Sequence, residues 1–215
     1  MQIYPWIYQT SSGIPRDLGS FLSLKSQGFE ENIDFYQAKF GTNGHAGIDH
    51  PCPIGTKVFS PFLSCKVKSI SLDEKRGKGV VLETSEGEFL LWHFSEVLVY
   101  IGQQIYGRMV VGLSGNSGIS SAPHTHAEWK PTDGQGNWLY PNNGFYGAVD
   151  FSPMMVWSPK PTEAQPMTQQ EVRKLQALEG YKDDSGVVYW TGKPLSDYLN
   201  ARLVDKIKTI EEAQK

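Results

Sequence analysis

Short apolar runs, separated by glycine, proline and polar residues, fill the middle of the chain and predict β-strands rather than helices. A hairpin turn at Ser85-Glu86-Gly87 separates two of these runs. Because no long helix is predicted between Gly44 and Trp129, we expect a mainly β fold with an antiparallel sheet at its core. The predicted strands are 56–60, 65–70, 79–84, 88–93, 104–106, 109–113 and 126–130.

The first 44 residues lack this alternation and predict an irregular N-terminal arm, with a short helix or turn near residues 16–25. The arm is rich in aromatic side chains, which are costly to leave in water. We therefore expect the arm to pack on the main domain. The aromatic residues concerned are Tyr4, Trp6, Tyr8, Phe21, Phe29, Phe35, Tyr36 and Phe40.

The C-terminal part of the chain has a third pattern. Residues 153–167 are rich in proline and predict a linker. A capping-box sequence at 168–171 then predicts a helix that ends near Gly180, and an apolar stripe predicts a second helix from about Ser196. The expected organisation is an arm over 1–44, a main domain over 45–152, a linker over 153–167 and a small helical tail over 168–215.

Composition and charge exclude several classes of protein. The net charge of −3 gives no electrostatic basis for binding nucleic acid or an anionic membrane. No apolar run approaches the ~20 residues that a transmembrane helix needs. The first cation is Arg16, so a secretory signal peptide is not expected, and a protein acting outside the cytoplasm would need another route of release.

The two cysteines, Cys52 and Cys65, leave two alternatives open. They could form one disulfide between neighbouring strands, or they could be two small buried apolar side chains. The second alternative is favoured. Zinc binding by this pair is disfavoured, because neither cysteine has a second Cys or His at zinc-finger spacing beside it.

The candidate chemistry lies in the histidines, four of which fall in three short segments. If residues 124–128 form a strand, the side chains of His124, His126 and Glu128 share one face, about 7 Å apart, with Thr125 and Ala127 on the other. Imidazoles at this spacing allow one ring to bind a metal while the next stands beside it. The segment therefore predicts part of a metal site.

His45 and Asp49 supply the other half of the predicted site. Gly44 and Gly47 argue against a helix here and permit a bent backbone that brings both side chains to one ion. Together with His126 they form a set of two imidazoles and one carboxylate, which leaves the fourth tetrahedral position of a zinc ion to water. This set predicts one zinc ion per chain and hydrolytic chemistry.

The remaining site residues are assigned supporting roles. Of His93 and His124, one can take a proton from the water and the other can hydrogen-bond the oxyanion of the reaction intermediate. Glu128 is expected to orient an imidazole from outside the ligand set. His50 fits none of these roles and is expected to be structural or to lie in the outer shell.

Three motifs, in order, carry a resemblance to a known family. They resemble those of the lysostaphin-like (LytM-type) zinc metallopeptidases, which cut peptidoglycan cross-links, and the likeness covers about residues 28–130. The motifs are His45-Ala46-Gly47-Ile48-Asp49 with Pro53-Ile54-Gly55-Thr56-Lys57-Val58, then Leu91-Trp92-His93-Phe94-Ser95, then Gly112-Leu113-Ser114-Gly115-Asn116-Ser117-Gly118 with Pro123-His124-Thr125-His126-Ala127-Glu128.

The resemblance implies the same site residues as the chemical argument from the histidines and carboxylates. It implies zinc ligands at His45, Asp49 and His126, and catalytic roles for His93 and His124. It further implies peptidoglycan stem or cross-bridge peptides as substrate and action at the bacterial cell wall, as in a phage-type lysin. With no signal peptide expected, release by lysis or carriage in a virion follows as an expectation.

Two other functions stay open from the sequence. The chain could be a non-catalytic wall-binding or activator module that keeps zinc and has a protein group at the position of the water. It could also be a component of a phage particle that self-associates through residues 168–215. Serine hydrolase, His-Glu-x-x-His and P-loop patterns are absent from the sequence, which disfavours those chemistries.

Overall fold

The structure is a computed structural model that describes residues 2–158, 160, 180–182, 188–190 and 193–194. The chain divides into two units, residues 1–160 and residues 161–215. The first unit contains two helices, α1 (Leu18–Ser23) and α2 (Ile33–Phe40), and a short 3-10 helix at Ser152–Met154. Its strands are β1 (Ile48–Pro51), β2 (Lys57–Phe59), β3 (Ser64–Asp73), β4 (Gly77–Glu83), β5 (Gly87–Val97), β6 (Gln104–Tyr106), β7 (Val110–Ser114) and β8 (His124–Pro131).

These strands form one eight-stranded sheet with the order β1-β8-β5-β4-β3-β6, and β7 pairs with both β2 and β5. Each of its pairings is antiparallel, so the prediction of a mainly β fold with an antiparallel core is confirmed. Strand β5 lies at the centre, and its residues 87–94 are all buried. The helix predicted near residues 16–25 is confirmed as α1, which Asp17 caps in a capping box with Ser20.

Two elements of the first unit were not predicted. Strand β1 has only four residues and ends at a proline, so it offers little alternation to detect. Helix α2 has only eight residues, about two turns, so it is too short to show a clear helical period, and none of its residues is buried. It is bounded by left-handed residues, Asn32 before it and Gly41 after it.

The N-terminal arm contributes side chains to the same core as the sheet. Ile3, Trp6, Ile7 and Phe21 have no exposed surface and join the main apolar cluster. The indole N–H of Trp6 donates a buried hydrogen bond to Thr125 Oγ1 at 3.1 Å. This bond ties the arm to the strand that carries two of the candidate site histidines.

Cys52 and Cys65 are both free and buried. The alternative of a disulfide between them is therefore wrong, and the favoured alternative of two small buried side chains is confirmed. Burial raises the pKa of both thiols, to about 11 for Cys65. Neither thiol ionises at neutral pH, which suits packing rather than chemistry.

The described residues of the second unit form a three-stranded antiparallel sheet that was not predicted. Its strands are β9 (Gly180–Lys182), β10 (Val188–Trp190) and β11 (Lys193–Pro194). The helices predicted from residue 168 to near Gly180 and from about Ser196 lie outside the described residues. Within the described part of the chain, no helix combines the length and apolar character needed to cross a membrane.

The boundaries proposed for the arm, main domain, linker and tail stay predictions. The first residues of the predicted linker pack on the first unit, where Met155 is 4% exposed and bridges Ile3.

Candidate metal centre

The pairing of β1 with β8 brings the first and last motifs together. Asp49 lies directly opposite His126 in this register. His45 lies just before β1. Between His45 and β1, the backbone passes very close to β8 at Gly47. A Cβ at Gly47 would lie 2.1 Å from the carbonyl oxygen of Ala127, so only glycine permits this approach.

Three candidate ligand atoms converge at this point. His45 Nε2 lies 2.8 Å from His126 Nδ1 and 3.2 Å from Asp49 Oδ1. His126 Nδ1 lies 2.8 Å from Asp49 Oδ1. Among the described residues, these three side chains form the one cluster suited to holding a metal ion, and all three are buried.

Hydrogen bonds to the far side of each ring select which nitrogen faces the cluster. His45 Nδ1 donates to the carbonyl oxygen of Gly28 at 2.8 Å, which leaves Nε2 without a proton. His126 Nε2 donates to Glu128 Oε1 at 3.1 Å, which turns Nδ1 toward His45 and Asp49. Glu128 therefore contacts an imidazole that it could orient, as predicted. Its effect on a bound metal stays a prediction.

Two carboxylates beside His126 favour a positive charge on its ring. Burial lowers the pKa of His126, but Asp49 and Glu128 outweigh it and raise the pKa to about 9. Burial raises the pKa of Asp49, but the charge and the hydrogen bond of His126 hold it below its ordinary range. Asp49 is therefore ionised, as a metal-binding carboxylate must be.

The donor set fits zinc. Two imidazole nitrogens and one carboxylate oxygen are ordinary zinc ligands, at bond lengths of about 2.0–2.2 Å. Ligand atoms at that distance in a tetrahedron lie about 3.3 Å apart, whereas the three atoms here lie 2.8–3.2 Å apart. Opening the cluster by a few tenths of an ångström would make room for the ion.

His93 and His124 lie beside this cluster. Their ring centroids are 4.5 Å apart, and the ring of His93 is 6.0 Å from that of His126. Nε2 of His124 lies 3.6 Å from Asp49 Oδ2. The structure therefore brings all the predicted site histidines, His45, His93, His124 and His126, into one place.

The rings of His93 and His124 are held in the same manner as the ligand rings. His93 Nδ1 donates to the carbonyl oxygen of Ser117 at 2.7 Å, and His124 Nδ1 donates to that of Ala122 at 2.8 Å. Each ring thus keeps Nε2 available as an acceptor. Burial, aided by His124 and His126, lowers the pKa of His93 to about 4, so His93 is neutral at physiological pH.

His93 also occupies an unusual backbone conformation. Its φ of 68° lies in the left-handed region, where a non-glycine residue costs about 1–3 kcal/mol. The position coincides with a bulge of β5, whose register against β4 shifts between the pairs Val80–Leu91 and Lys78–Phe94, so that Trp92 and His93 stand against one residue of β4. Bulges of this kind redirect a side chain, and such strain is concentrated at functional sites.

The predicted division of β8 into two faces is confirmed. His124, His126 and Glu128 line one cleft, whereas Thr125 and Ala127 have no exposed surface. Burial raises the pKa of Glu128, but the bond and charge of His126 and the charge of Lys130 lower it to about 2. Glu128 is therefore ionised as a partner for His126.

His50 lies behind the site rather than in it. Its ring stacks on Phe21 with centroids 4.1 Å apart, and Nε2 donates to the carbonyl oxygen of Phe21 at 2.8 Å. Burial lowers the pKa of His50 to about 4. These contacts agree with the structural role expected for it.

The cleft over the site has a volume of about 800 Å³ and includes residues that the sequence analysis did not single out. Tyr36 of α2 is one of them: its ring lies 5.1 Å from that of His45, and its hydroxyl donates to Gln27 Oε1 at 3.3 Å. Burial and the charge of Asp49 raise the pKa of Tyr36. The sequence predicted only that Tyr36 packs on the main domain with the other aromatic residues of the arm, because α2 itself was not predicted.

The segment from residue 43 to residue 138 matches the model of peptidase family M23. This match confirms the resemblance recognised from the motifs. The matched segment includes all six candidate residues: His45, Asp49, His93, His124, His126 and Glu128.

Individual relatives match about two fifths of the chain. An uncharacterised metalloprotease of Buchnera aphidicola (subsp. Baizongia pistaciae) is 32% identical over 39% of the chain and 22% of that protein. An uncharacterised metalloprotease of Haemophilus influenzae is 34% identical over 40% of the chain and 18% of that protein. The chain thus spans about a fifth of the length of these two relatives.

Among solved structures, the catalytic domain of the antimicrobial peptidase lysostaphin from Staphylococcus simulans is 24% identical. The match covers 52% of this chain and 78% of that one, with a TM-score of 0.44.

Proposed function

We propose that this chain is a zinc-dependent endopeptidase that hydrolyses peptide bonds in the stem or cross-bridge peptides of bacterial peptidoglycan. The observation that carries the proposal is the convergence of His45 Nε2, Asp49 Oδ1 and His126 Nδ1 at one point beneath an open cleft. The match of residues 43–138 to the model of peptidase family M23 and the motif resemblance support the reaction and the substrate.

His45, Asp49 and His126 would hold one zinc ion. A zinc ion bound in this way supplies Lewis acidity, which lowers the pKa of a water to about 7 and polarises a peptide carbonyl. Glu128 keeps His126 in the required orientation through the bond to Nε2.

We assign the transfer of the proton to His124. Its Nδ1–H is fixed on the carbonyl oxygen of Ala122, so Nε2 is the atom that accepts a proton from the attacking water. The same nitrogen then returns the proton to the departing amine, as a general base does when it becomes the acid.

We assign to His93 the stabilisation of the negative charge that develops on the oxyanion. His93 is neutral in the resting site, partly because the neighbouring imidazoles disfavour another positive charge. An oxyanion has the opposite effect and raises the proton affinity of Nε2. This nitrogen would then take up a proton from solvent and donate a hydrogen bond to the oxyanion.

The proposal is tested by removing and restoring the metal. Exhaustive chelation should abolish the loss of turbidity of purified cell walls, and stoichiometric zinc should restore it. Mass spectrometry of the released peptides would identify the bond that is cut. Wall cleavage that survives removal of all bound metal would contradict the proposal.

A non-catalytic, zinc-retaining module would need a fourth protein ligand at the position of the water. Within the described residues, the metal-type cluster has three members, and a cleft of about 800 Å³ lies above it. Both observations favour catalysis over this alternative. A phage-type role, delivery in a virion and self-association through residues 168–215 stay predictions.

A further inference from the structure

The charges that line the site cleft are unevenly distributed. Among its described lining residues, the only acids are Asp49 and Glu128, and both are bonded to His126. The cations Lys39, Lys75 and Arg76 also line it, and all three are exposed. The cleft is therefore rich in positive charge, although the whole chain carries a net charge of −3.

The cations come from two separate elements. Lys39 lies in the last turn of α2. Lys75 and Arg76 lie in the turn between β3 and β4, where the amide of Ile119 donates to the carbonyl oxygen of Lys75 at 2.7 Å. This bond joins the turn to the loop that precedes β8 and so holds the backbone of the turn that carries Lys75 and Arg76.

Arg76 is also held over an aromatic ring. Its guanidinium carbon lies 5.4 Å from the centre of the Trp92 ring, within cation–π range. Its charge is close enough to the site to lower the pKa of Glu128. Guanidinium groups held in this way bind carboxylates in a bidentate manner.

Two further donors belong to the same lining. Gln27 Nε2 and Trp92 Nε1 are buried and have no hydrogen-bond partner among the residues that the structure describes. Donors without partners are costly unless a ligand or water supplies an acceptor. Cations and unused donors together describe a cleft suited to a ligand rich in oxygen acceptors and negative charge.

We infer that the cleft selects acidic peptides, with Lys39, Lys75 and Arg76 binding free carboxylates on the residues that flank the scissile bond. The inference rests on the proposed function and adds to it the charge of the substrate. Peptides in which those carboxylates are converted to carboxamides would be poorer substrates of the same enzyme.

The test uses the zinc-loaded full chain and one cross-linked stem peptide in two forms, with free carboxylates and with every carboxylate amidated. The wild type should cleave the acidic form with a kcat/KM about tenfold higher, since each exposed ion pair contributes a factor of about 2 to 5. This ratio should shrink as salt is raised from about 0.01 M to 1 M, where the Debye length falls from about 30 Å to 3 Å.

Variants assign the preference to residues. Lys75→Gln combined with Arg76→Gln, and separately Lys39→Gln, should move the ratio of the two kcat/KM values toward one. Lys66→Gln is the matched control, because Lys66 is an exposed lysine of β3 that lines a different cavity, with Phe62 and Gln104. It removes the same charge and should leave the ratio as in the wild type. Because only the ratio is compared, a variant that lowers both rates equally does not mimic the effect.

The outcomes separate the two proposals. Equal cleavage of both peptides by the wild type, or a preference that the cleft variants retain, overturns the inference and leaves the peptidase function intact. Failure of the zinc-loaded wild type to cleave either peptide or purified walls overturns the proposed function itself. A preference lost equally in Lys66→Gln would assign it to overall charge and would also overturn the inference.

Discussion

Each site imidazole has one ring nitrogen bonded to a fixed acceptor, which directs the other nitrogen to the site. The acceptors are backbone carbonyl oxygens for His45, His93 and His124, and the Glu128 carboxylate for His126. Because a backbone carbonyl accepts and never donates, three of the four tautomers are determined by the fold. The fourth depends on Glu128, which makes it the most informative side chain to change.

Glu128→Gln should weaken zinc binding by about 10–100-fold, the usual effect of changing a side chain that orients a metal ligand. The glutamine can still accept the bond from His126 Nε2 but carries no charge, so the ring becomes a weaker ligand. Competition with a chelator of known affinity measures this change. Glu88→Gln, which removes another buried carboxylate of the same sheet, is the control and should bind zinc normally. Equal zinc affinity of Glu128→Gln and the wild type would show that Glu128 does not support zinc binding.

His50 predicts a pH dependence of stability. Burial lowers its pKa to about 4 in the folded chain, against about 6.5 in the unfolded chain. Below about pH 6.5 the unfolded chain binds a proton that the folded chain does not. Stability is therefore complete above this pH and is lost as the pH falls toward 4, by up to about 3 kcal/mol.

The measurement is the free energy of unfolding of the metal-free protein between pH 7 and pH 4, so that release of zinc adds nothing. The variant His50→Gln keeps a donor for the carbonyl oxygen of Phe21 but does not titrate, and it should lose about 3 kcal/mol less over this range. Parallel curves for the two proteins would show that His50 is not the group responsible.

At the scale of elements, the site depends on the pairing of β1 with β8, and this pairing was not predicted. The motifs identified the residues of both strands, and the period of two in β8 correctly placed its histidines on one face. Strand β1 was missed because it is too short to show a period. Convergence of His45, Asp49 and His126 was expected from chemistry, whereas the register that produces it is a long-range property.

The residues that the sequence did not place at the cleft lie in two kinds of segment, a short helix and a turn. Tyr36 and Lys39 belong to α2, which has only eight residues and is too short to show a clear helical period. Arg76 lies in a turn, and a turn sequence does not indicate which distant surface it faces. The catalytic chemistry could be predicted because it concentrates in rare residue types. The lining of the cleft could not, because its residue types are common on every surface.

The arm is coupled to β8 through Trp6. Thr125→Val removes the acceptor of the Trp6 indole N–H with little change in shape. It should cost about 1–3 kcal/mol of unfolding free energy, the penalty for a buried donor without a partner. Denaturant unfolding measures the cost.

A double-mutant cycle separates this bond from other effects of the threonine. In the Trp6→Phe background the donor is absent, so Thr125→Val should cost clearly less than in the wild type. An equal cost in both backgrounds would mean that the hydroxyl stabilises the protein through another neighbour.

At the scale of the whole molecule, the entire candidate site lies in the first unit, residues 1–160. The arm contributes to its core and to the lining of its cleft, so the arm and the sheet act as one body there. The described part of the second unit is a small sheet of three strands that was not predicted, and the helices predicted for this unit lie outside the described residues. Its role is not part of the proposed chemistry.

The most direct test of the account compares zinc content and wall cleavage for the wild type, His126→Ala and His124→Ala. The account predicts one zinc ion and cleavage for the wild type, loss of both in His126→Ala, and retained zinc without cleavage in His124→Ala. That pattern would separate the ligand role of His126 from the catalytic role of His124. A wild type that binds one zinc ion per chain and leaves the walls intact would contradict the account and favour a non-catalytic module.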